Sequence, residues 1–326
     1  MVIRILWEGE RVSKKILITA KSFREHKNEV YPLIFAKGYE ILENRTGRTL
    51  TENEIIELAE KDVVGIIVGI DPLSGKVMEK CKDLKAISKY GVGMDNIDLD
   101  RAKALGISVR NAAGTNKISV AELAIALMLS LSRKIPETTA RVKSGSWDRS
   151  IGMEMTGKKL GLVGCGQIGK EVAKRAKGLM MEIAVFDPFL DDECFMERYS
   201  VCRYTNLKAL FSDCDILSLH IPAIPETKSI VNRESLSWMK PTAFLINTSR
   251  GELVDEAALY EALSFGKIAG AAQDVFSAEP PAAGEKLLKL DNFILTSHIG
   301  AYTREAIINM AMVSTCNLLE MIEKND

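Results

Sequence analysis

The chain has 326 residues, with 43 lysines and arginines against 44 aspartates and glutamates, so its net charge at neutral pH is −1. This near balance argues against nucleic acid or an anionic membrane surface as the main partner. Hydrophobic residues make up 47% and charged residues 27%, which excludes disorder as the main state, and the length predicts roughly two domains.

Short apolar segments alternate with helical stretches along the chain. The first series of predicted strands covers residues 15–19, 63–68, 84–88 and 107–109. The second series covers residues 159–163, 182–186, 216–219, 243–246, 268–272 and 293–295. Strands that are apolar throughout and separated by helices are typical of parallel sheets with both faces covered. The pattern therefore predicts an α/β protein with two doubly wound parallel-sheet domains.

The two series meet near residues 111–115, and a long predicted helix at residues 120–133 opens the second one. The last predicted helix, residues 303–324, follows the second series. Because the second sheet is then complete, we expect this helix to return to the first unit. The predicted domains are residues 1–112 with 300–326, and residues 113–299.

A glycine-rich turn, Gly-Cys-Gly-Gln-Ile-Gly at residues 164–169, follows one predicted strand directly and opens a helix. In this context Gly164, Gly166 and Gly169 are typical of a dinucleotide-binding turn, where the helix N-terminus faces the pyrophosphate. Asp187 ends the next strand, about 20 residues after Gly166. An acid at that spacing accepts the ribose hydroxyls and repels a 2′-phosphate, so the sequence favours NAD over NADP.

Arg250, Glu279 and His298 each stand just after a predicted strand of the second series. Ligands bind outside the carboxyl ends of the strands in an open parallel sheet, so the three side chains could converge on one crevice. A guanidinium binds a carboxylate through two hydrogen bonds, and a histidine can take a hydroxyl proton as hydride leaves. A glutamate bonded to that histidine favours its charged form.

The other two histidines are weaker candidates for proton transfer. His220 ends a predicted strand, and we expect it near the cofactor in a helper role. His26 lies in a charged N-terminal helix, where we expect a solvated surface residue.

The cysteines and the longest apolar runs bear on location. The six cysteines contain no C-x-x-C pair, and no histidine–cysteine cluster indicates a metal site. No uninterrupted apolar run approaches the roughly 20 residues of a membrane span. We therefore expect a cytoplasmic protein that binds no metal.

Five stretches of the sequence resemble the D-isomer-specific 2-hydroxyacid dehydrogenases, especially their phosphoglycerate dehydrogenase-like branch. They are residues 89–98, 114–123, 157–169, 240–255 and 297–301. The resemblance implies a flavodoxin-like substrate domain built from both chain ends, and a central Rossmann domain that binds NAD. It also implies a homodimer formed through the cofactor domains with the helix at residues 120–133.

The resemblance further implies a role for each matching residue. Arg250 resembles the arginine that binds the substrate carboxylate, Glu279 the glutamate that orients the histidine, and His298 the acid/base. The implied substrate-binding residues are Val92, Gly93, Asn116 and Arg250. The expected cofactor contacts are Gly164, Gly166, Gln167, Ile168, Gly169, Asp187, His220, Thr248, Asp274, His298 and Gly300.

The implied reaction is the NAD-dependent interconversion of a D-2-hydroxy acid and its 2-oxo acid, with 3-phosphoglycerate as a candidate substrate. Phosphoglycerate dehydrogenases carry an Arg-Ser pair after the strand at residues 63–68, but this chain has Gly-Ile-Asp-Pro at residues 69–72. Without that arginine, and with the added negative charge of Asp71, the loop is less suited to bind the phosphate of 3-phosphoglycerate. Lys76 and Lys89 are candidate replacements, although we expect both to be solvated.

Two alternatives stay open. One is a reductase of unphosphorylated 2-oxo acids such as hydroxypyruvate or glyoxylate. The other is a non-catalytic co-regulator that senses NADH on the same fold.

Cys165 stands between two glycines of the turn, where a helix N-terminus could lower the pKa of its thiol. We hypothesise that alkylation of this thiol blocks NAD binding. The favoured alternative is that Cys165 is only a small filler.

The first 13 residues precede the family's usual first strand. One hypothesis places the native start at Val12, with residues 1–11 outside the native protein. A short extra strand or a disordered tail is the alternative.

Overall fold

The computed structural model describes residues 4–5 and 14–325. The chain divides into two units, one formed by Met1–Asn116 with Ala301–Asp326 and the other by Lys117–Gly300. The polypeptide therefore leaves the first unit after Asn116 and returns to it after Gly300. The hypothetical start at Val12 lies outside the described residues.

The described part of the first unit contains a six-stranded sheet. Its strands are β1 (Arg4–Ile5), β2 (Lys15–Ile18), β3 (Glu40–Glu43), β4 (Val63–Val68), β5 (Ala86–Lys89) and β6 (Ser108–Asn111). Their spatial order is β1-β3-β2-β4-β5-β6, and β1 alone runs antiparallel to its neighbour. Without β1 the order is 2-1-3-4-5, which is the flavodoxin arrangement. The predicted class of this fold is confirmed.

Strand β3 is missing from the sequence prediction because both of its ends are glutamates. Glu40 and Glu43 are nevertheless buried. The Glu43 carboxylate accepts a hydrogen bond from the Tyr31 hydroxyl and, at 2.6 Å, one from the Arg45 guanidinium. These partners compensate the carboxylate for the lost water, so a polar sequence can occupy an interior strand.

Helices cover the faces of this first sheet. They are α1 (Lys27–Phe35), α2 (Glu52–Ala59), α3 (Gly75–Lys80), α4 (Leu99–Ala104) and, from the C-terminal segment, α12 (Arg304–Asn325). Helix α12 is long and apolar enough to cross a membrane by length and composition alone. However, it packs on β4, β5 and β6, and its Leu318 and Ile322 side chains are fully buried. Burial of this kind is typical of a core helix.

The second unit, which the structure describes throughout, has a seven-stranded parallel sheet. Its strands are β7 (Lys159–Val163), β8 (Glu182–Phe186), β9 (Val201–Arg203), β10 (Ile216–Leu219), β11 (Phe244–Asn247), β12 (Gly270–Gln273) and β13 (Phe293–Leu295). The spatial order is β13-β12-β11-β10-β7-β8-β9. The strand order reverses between β7 and β10, as in a Rossmann fold, so this part of the predicted fold is also confirmed.

The helices of the second unit lie on both faces of its sheet. They are α5 (Lys117–Ser132), α6 (Ile135–Lys143), α7 (Gln167–Gly178), α8 (Glu193–Tyr199), α9 (Leu207–Asp213), α10 (Arg233–Trp238) and α11 (Glu256–Ser264). Helix α5 packs on α7 and on the neighbouring strands β11 and β12. In contrast, every residue of α6 is at least partly exposed.

Candidate active site

The glycine-rich turn joins β7 to α7 and leaves room for a ligand. Gly164 has φ +91°, and a methyl group there would lie 2.6 Å from the carbonyl oxygen of His220. At Gly166, the residue before the helix, a methyl group would meet open space within 4 Å. Gln167 and Ile168 begin the helix, so its unpaired N–H groups face this space. The turn therefore fits the phosphates of a dinucleotide.

Asp187 stands directly after β8 and is half-buried. Its carboxylate accepts the backbone N–H of Cys165 at 2.7 Å and that of Phe189 at 2.8 Å. The acid thus ties the glycine-rich turn to the end of the neighbouring strand. Two hydrogen bonds fix its position while leaving further lone pairs for a ligand.

His220 follows β10, and Thr248 follows β11. Among the described residues, His220 Nδ1 and Thr248 Oγ1 are buried polar atoms without a hydrogen-bond partner. His220 Nε2 lies 2.9 Å from Ser218 Oγ. Burial lowers the pKa of His220 to about 4, so its imidazole is neutral at pH 7. Because unpaired buried polar atoms cost free energy, these two atoms favour a polar ligand here.

Cys165 is a buried filler, as the favoured alternative predicted, and the hypothesis of a reactive thiol is wrong. Its side chain is buried, and burial, followed by the nearby Asp187 charge, raises the pKa of the thiol to about 12. Although the thiol precedes a helix N-terminus, desolvation of the thiolate outweighs the field of the helix. Cys165 instead packs with the apolar residues of the core.

The three catalytic candidates follow the adjacent parallel strands β11, β12 and β13. His298 Nδ1 lies 2.8 Å from Glu279 Oε2, and Glu279 Oε1 accepts the backbone N–H of Phe276 at 3.0 Å. Because a carboxylate only accepts, Nδ1 carries a proton and Nε2 is the basic nitrogen of the neutral ring. Arg250 is half-buried, and its guanidinium donates to the Ser249 carbonyl at 2.7 Å.

Asp274 follows β12 and makes contacts with the His298 loop that the sequence did not indicate. Its buried carboxylate accepts hydrogen bonds from Thr296 Oγ1 at 2.5 Å, from Ile299 N at 2.8 Å and from Gly300 N at 2.7 Å. Asp274 therefore binds the chain both before and after His298. The spacing of more than 20 residues along the chain gives no local signal for this contact.

In the first unit, Val92 and Gly93 follow β5, and the Val92 carbonyl accepts from Asn111 Nδ2 at 2.6 Å. The neighbouring Gly91 has φ +135°, a value that favours glycine. Asn116 Oδ1 is a buried oxygen without a partner among the described residues. The substrate-binding roles of Val92, Gly93 and Asn116 stay predictions.

The loop after β4 differs from the sequence expectation. Asp71 is 2% exposed and accepts from Thr19 Oγ1 at 2.5 Å and from Leu50 N at 2.7 Å, so its charge faces inward. Lys89 is buried rather than solvated, and its ammonium donates to the Gly69 carbonyl and, at 3.1 Å, to Asn96 Oδ1. Ile70 is 73% exposed. The loop therefore presents a hydrocarbon side chain to solvent.

Comparisons with known proteins identify the family of this chain. Residues 125–300 match the model of the D-isomer specific 2-hydroxyacid dehydrogenase, NAD binding domain. The chain belongs to the D-isomer specific 2-hydroxyacid dehydrogenase family. NAD is the cofactor of the matched domain, as the glycine-rich turn and Asp187 predicted.

Named relatives within this family differ in substrate. The chain is 41% identical over 286 residues to D-3-phosphoglycerate dehydrogenase of Archaeoglobus fulgidus, covering 87% of this chain and 53% of that protein. It is 41% identical over 265 residues to hydroxypyruvate reductase of Thermotoga maritima, covering 80% of this chain and 85% of that protein. The chain therefore spans about half the length of the phosphoglycerate dehydrogenases it matches.

Solved structures of the same family share the fold. The TT0316 protein of Thermus thermophilus superposes with a TM-score of 0.87 at 34% sequence identity, covering 95% of this chain and 97% of that one.

Burial predicts the reactivity of the cysteines. Cys194, Cys202 and Cys316 are exposed, whereas Cys81, Cys165 and Cys214 are buried with thiol pKa values raised to about 11 or 12. We expect a maleimide to label the exposed group in the native protein and all six cysteines after denaturation, as read by mass spectrometry. Rapid labelling of native Cys165 would contradict this account.

Proposed function

We propose that this chain is an NAD-dependent dehydrogenase that interconverts a D-2-hydroxy acid and the corresponding 2-oxo acid. The observation that carries this proposal is the 2.8 Å contact between His298 Nδ1 and Glu279 Oε2 at the carboxyl edge of the NAD-binding sheet. It leaves Nε2 as the proton acceptor in the neutral ring. A carboxylate beside the ring stabilises the imidazolium that forms when Nε2 takes a proton.

The second unit contains the proposed cofactor contacts. They are Gly164, Gly166, Gln167, Ile168, Gly169, Asp187, His220, Thr248, Asp274, His298 and Gly300. The open space at Gly166 and the unpaired atoms of His220 and Thr248 support this set. When bound, NAD accepts a hydride in the oxidation, and NADH donates one in the reduction.

We propose that Arg250 binds the substrate carboxylate, with Val92, Gly93 and Asn116 as the contacts from the first unit. A guanidinium suits this task because its fork of N–H donors matches the two carboxylate oxygens. His298 then removes the proton of the C2 hydroxyl during oxidation and returns it to the oxygen during reduction. We assign the first unit as the substrate domain on the same grounds.

Among substrates, the loop after β4 favours unphosphorylated 2-oxo acids. A phosphate is bound most strongly by arginine, lysine or clustered N–H groups. The loop projects Ile70 instead, while Asp71 and Lys89 are bonded within the unit. An unphosphorylated 2-oxo acid therefore suits this chain better than a phosphorylated one.

We also propose that the protein is a cytoplasmic homodimer. The six cysteines lie within residues 14–325 and are free thiols, which suits a reducing compartment. Helix α6 and the segment after it expose the large apolar side chains of Ile135, Trp147 and Ile151. Large exposed apolar side chains in one segment favour a protein–protein contact, and the segment directly follows α5, the helix implicated by the family resemblance.

The acid/base role predicts a defect confined to turnover. We expect His298→Ala to lower kcat by about 100-fold or more, because a positioned general base contributes about 10²- to 10⁴-fold. The dissociation constant of NADH, measured by protein fluorescence, should change far less than kcat, because the other proposed cofactor contacts remain. His26→Ala, in the short 3-10 helix Lys21–His26, is the matched control. Wild-type kcat in His298→Ala would overturn the assignment.

The loop at residue 70 predicts the substrate preference. In an NADH-oxidation assay across 2-oxo acids, we expect hydroxypyruvate or glyoxylate to exceed phosphohydroxypyruvate in kcat/KM by about 10-fold or more, since a charge-assisted hydrogen bond to phosphate is missing. Ile70→Arg should reduce the excess of kcat/KM for hydroxypyruvate or glyoxylate over that for phosphohydroxypyruvate. Leu105→Arg, at another exposed position of the same unit, should leave this excess unchanged. A wild-type preference for phosphohydroxypyruvate would refute this reading. NADH binding without turnover of any acid would favour the alternative of a non-catalytic co-regulator that senses NADH.

The exposed apolar segment predicts the oligomeric state. Light scattering should give twice the chain mass for the wild type and the monomer mass for the double variant Trp147→Glu, Ile151→Glu, because two buried charges oppose association. Phe265, also largely exposed in this unit, provides the control Phe265→Glu, which should stay dimeric. A monomeric wild type would contradict the dimer.

A further inference from the structure

The loop that contains His298 is bound to the rest of its unit on both sides of the histidine. On the N-terminal side, Thr296 donates through its backbone N–H to the Gln273 carbonyl at 2.9 Å and through Oγ1 to Asp274 Oδ1 at 2.5 Å. On the C-terminal side, the N–H groups of Ile299 and Gly300 donate to the same Asp274 carboxylate. One buried carboxylate therefore closes this loop.

His298 itself has a backbone conformation that needs such support. Its φ is +56°, in the left-handed region that a residue with a Cβ adopts at a cost. Conformations of this kind persist where the surrounding contacts determine them. The three donors at Asp274 lie two residues before and one and two residues after the histidine, so they restrain the backbone on either side of it.

A second contact holds the end of the loop from another element. Ser119, buried near the start of α5, donates through Oγ to the Gly300 carbonyl at 2.6 Å. A methyl group on Gly300 would lie 3.0 Å from Asp274 Oδ2 and 3.3 Å from Val120 Cγ2. Gly300 is therefore confined between the carboxylate and the helix.

We propose that Asp274, Thr296 and Ser119 are positioning residues that hold His298 in the geometry needed for proton transfer. This proposal rests on the proposed acid/base role of His298. It gives Asp274 a task beyond cofactor contact, and it assigns tasks to Thr296 and Ser119, whose hydroxyls reach the histidine only through the loop backbone. Small displacements matter here, because a misplacement of about 1 Å can lower a rate by about 100-fold.

Two conservative substitutions, Thr296→Val and Ser119→Ala, separate the positioning of His298 from cofactor binding. A third, Asp274→Asn, tests the carboxylate itself. Thr296→Val keeps the side-chain shape and removes one donor while the Asp274 carboxylate stays intact. Ser119→Ala removes the bond to Gly300 from the other side. In Asp274→Asn, the amide NH₂ must face at least one of the three donors, so at least one bond is lost. Thr242→Val and Ser212→Ala, both at exposed positions of the same unit, are the matched controls.

The first measurement is kinetic. We expect Thr296→Val and Ser119→Ala to lower kcat on the order of 10-fold and to shift the pH profile of kcat/KM, while the NADH dissociation constant stays within about 2-fold of wild type. The control variants should match wild type in kcat, in the pH profile and in the NADH dissociation constant. Wild-type kcat and pH profile in both variants would overturn the proposal, and so would a loss of NADH affinity that accounts for the fall in rate.

The second measurement does not depend on activity. In native-state hydrogen exchange, the Ile299 and Gly300 amides should be protected in the wild type, and at least one of them should exchange about 10-fold faster or more in Asp274→Asn. Equal exchange rates at both amides in the wild type and the variant would overturn the proposed positioning role of Asp274. If His298→Ala retained turnover, the acid/base proposal itself would fail, whatever the exchange at Ile299 and Gly300.

Discussion

In a parallel sheet every strand ends at the same edge, and this constraint places the chemistry of the NAD-binding unit. Its seven strands run in one direction, so the segments that follow them share that edge. No long-range attraction between the functional residues is needed to gather them. The residues that follow these strands directly or after a short loop include Gly164, Asp187, His220, Arg250, Glu279 and His298.

This constraint explains how much of the site the sequence could predict. Continuous apolar strands such as β7 and β8 can be recognised from the sequence because parallel strands are buried on both faces. Once they are located, the residues that follow them are known as well. In contrast, β3 has glutamates at both ends, and the buried Glu43 carboxylate depends on hydrogen bonds from Tyr31 and Arg45.

The directions of individual side chains were less predictable. The sequence places Asp71 after β4 but contains no sign that its carboxylate turns inward to Thr19 and Leu50. Likewise, Cys165 precedes a helix, yet burial decides the pKa of its thiol. Both outcomes depend on desolvation and on partners distant in sequence, which local pattern does not encode.

The loop after β4 separates the part of the fold that must be kept from the part that can vary. Its backbone and polar groups are held by Thr19, Lys89 and Asn96, and none of these bonds uses the side chain of Ile70. Since Ile70 is mostly exposed, replacing it disturbs little packing. In evolutionary terms, residue 70 can change at small cost to folding, and under the proposed substrate preference such changes would alter which acid is accepted. Relatives with similar backbones could thus diverge in the acid they reduce.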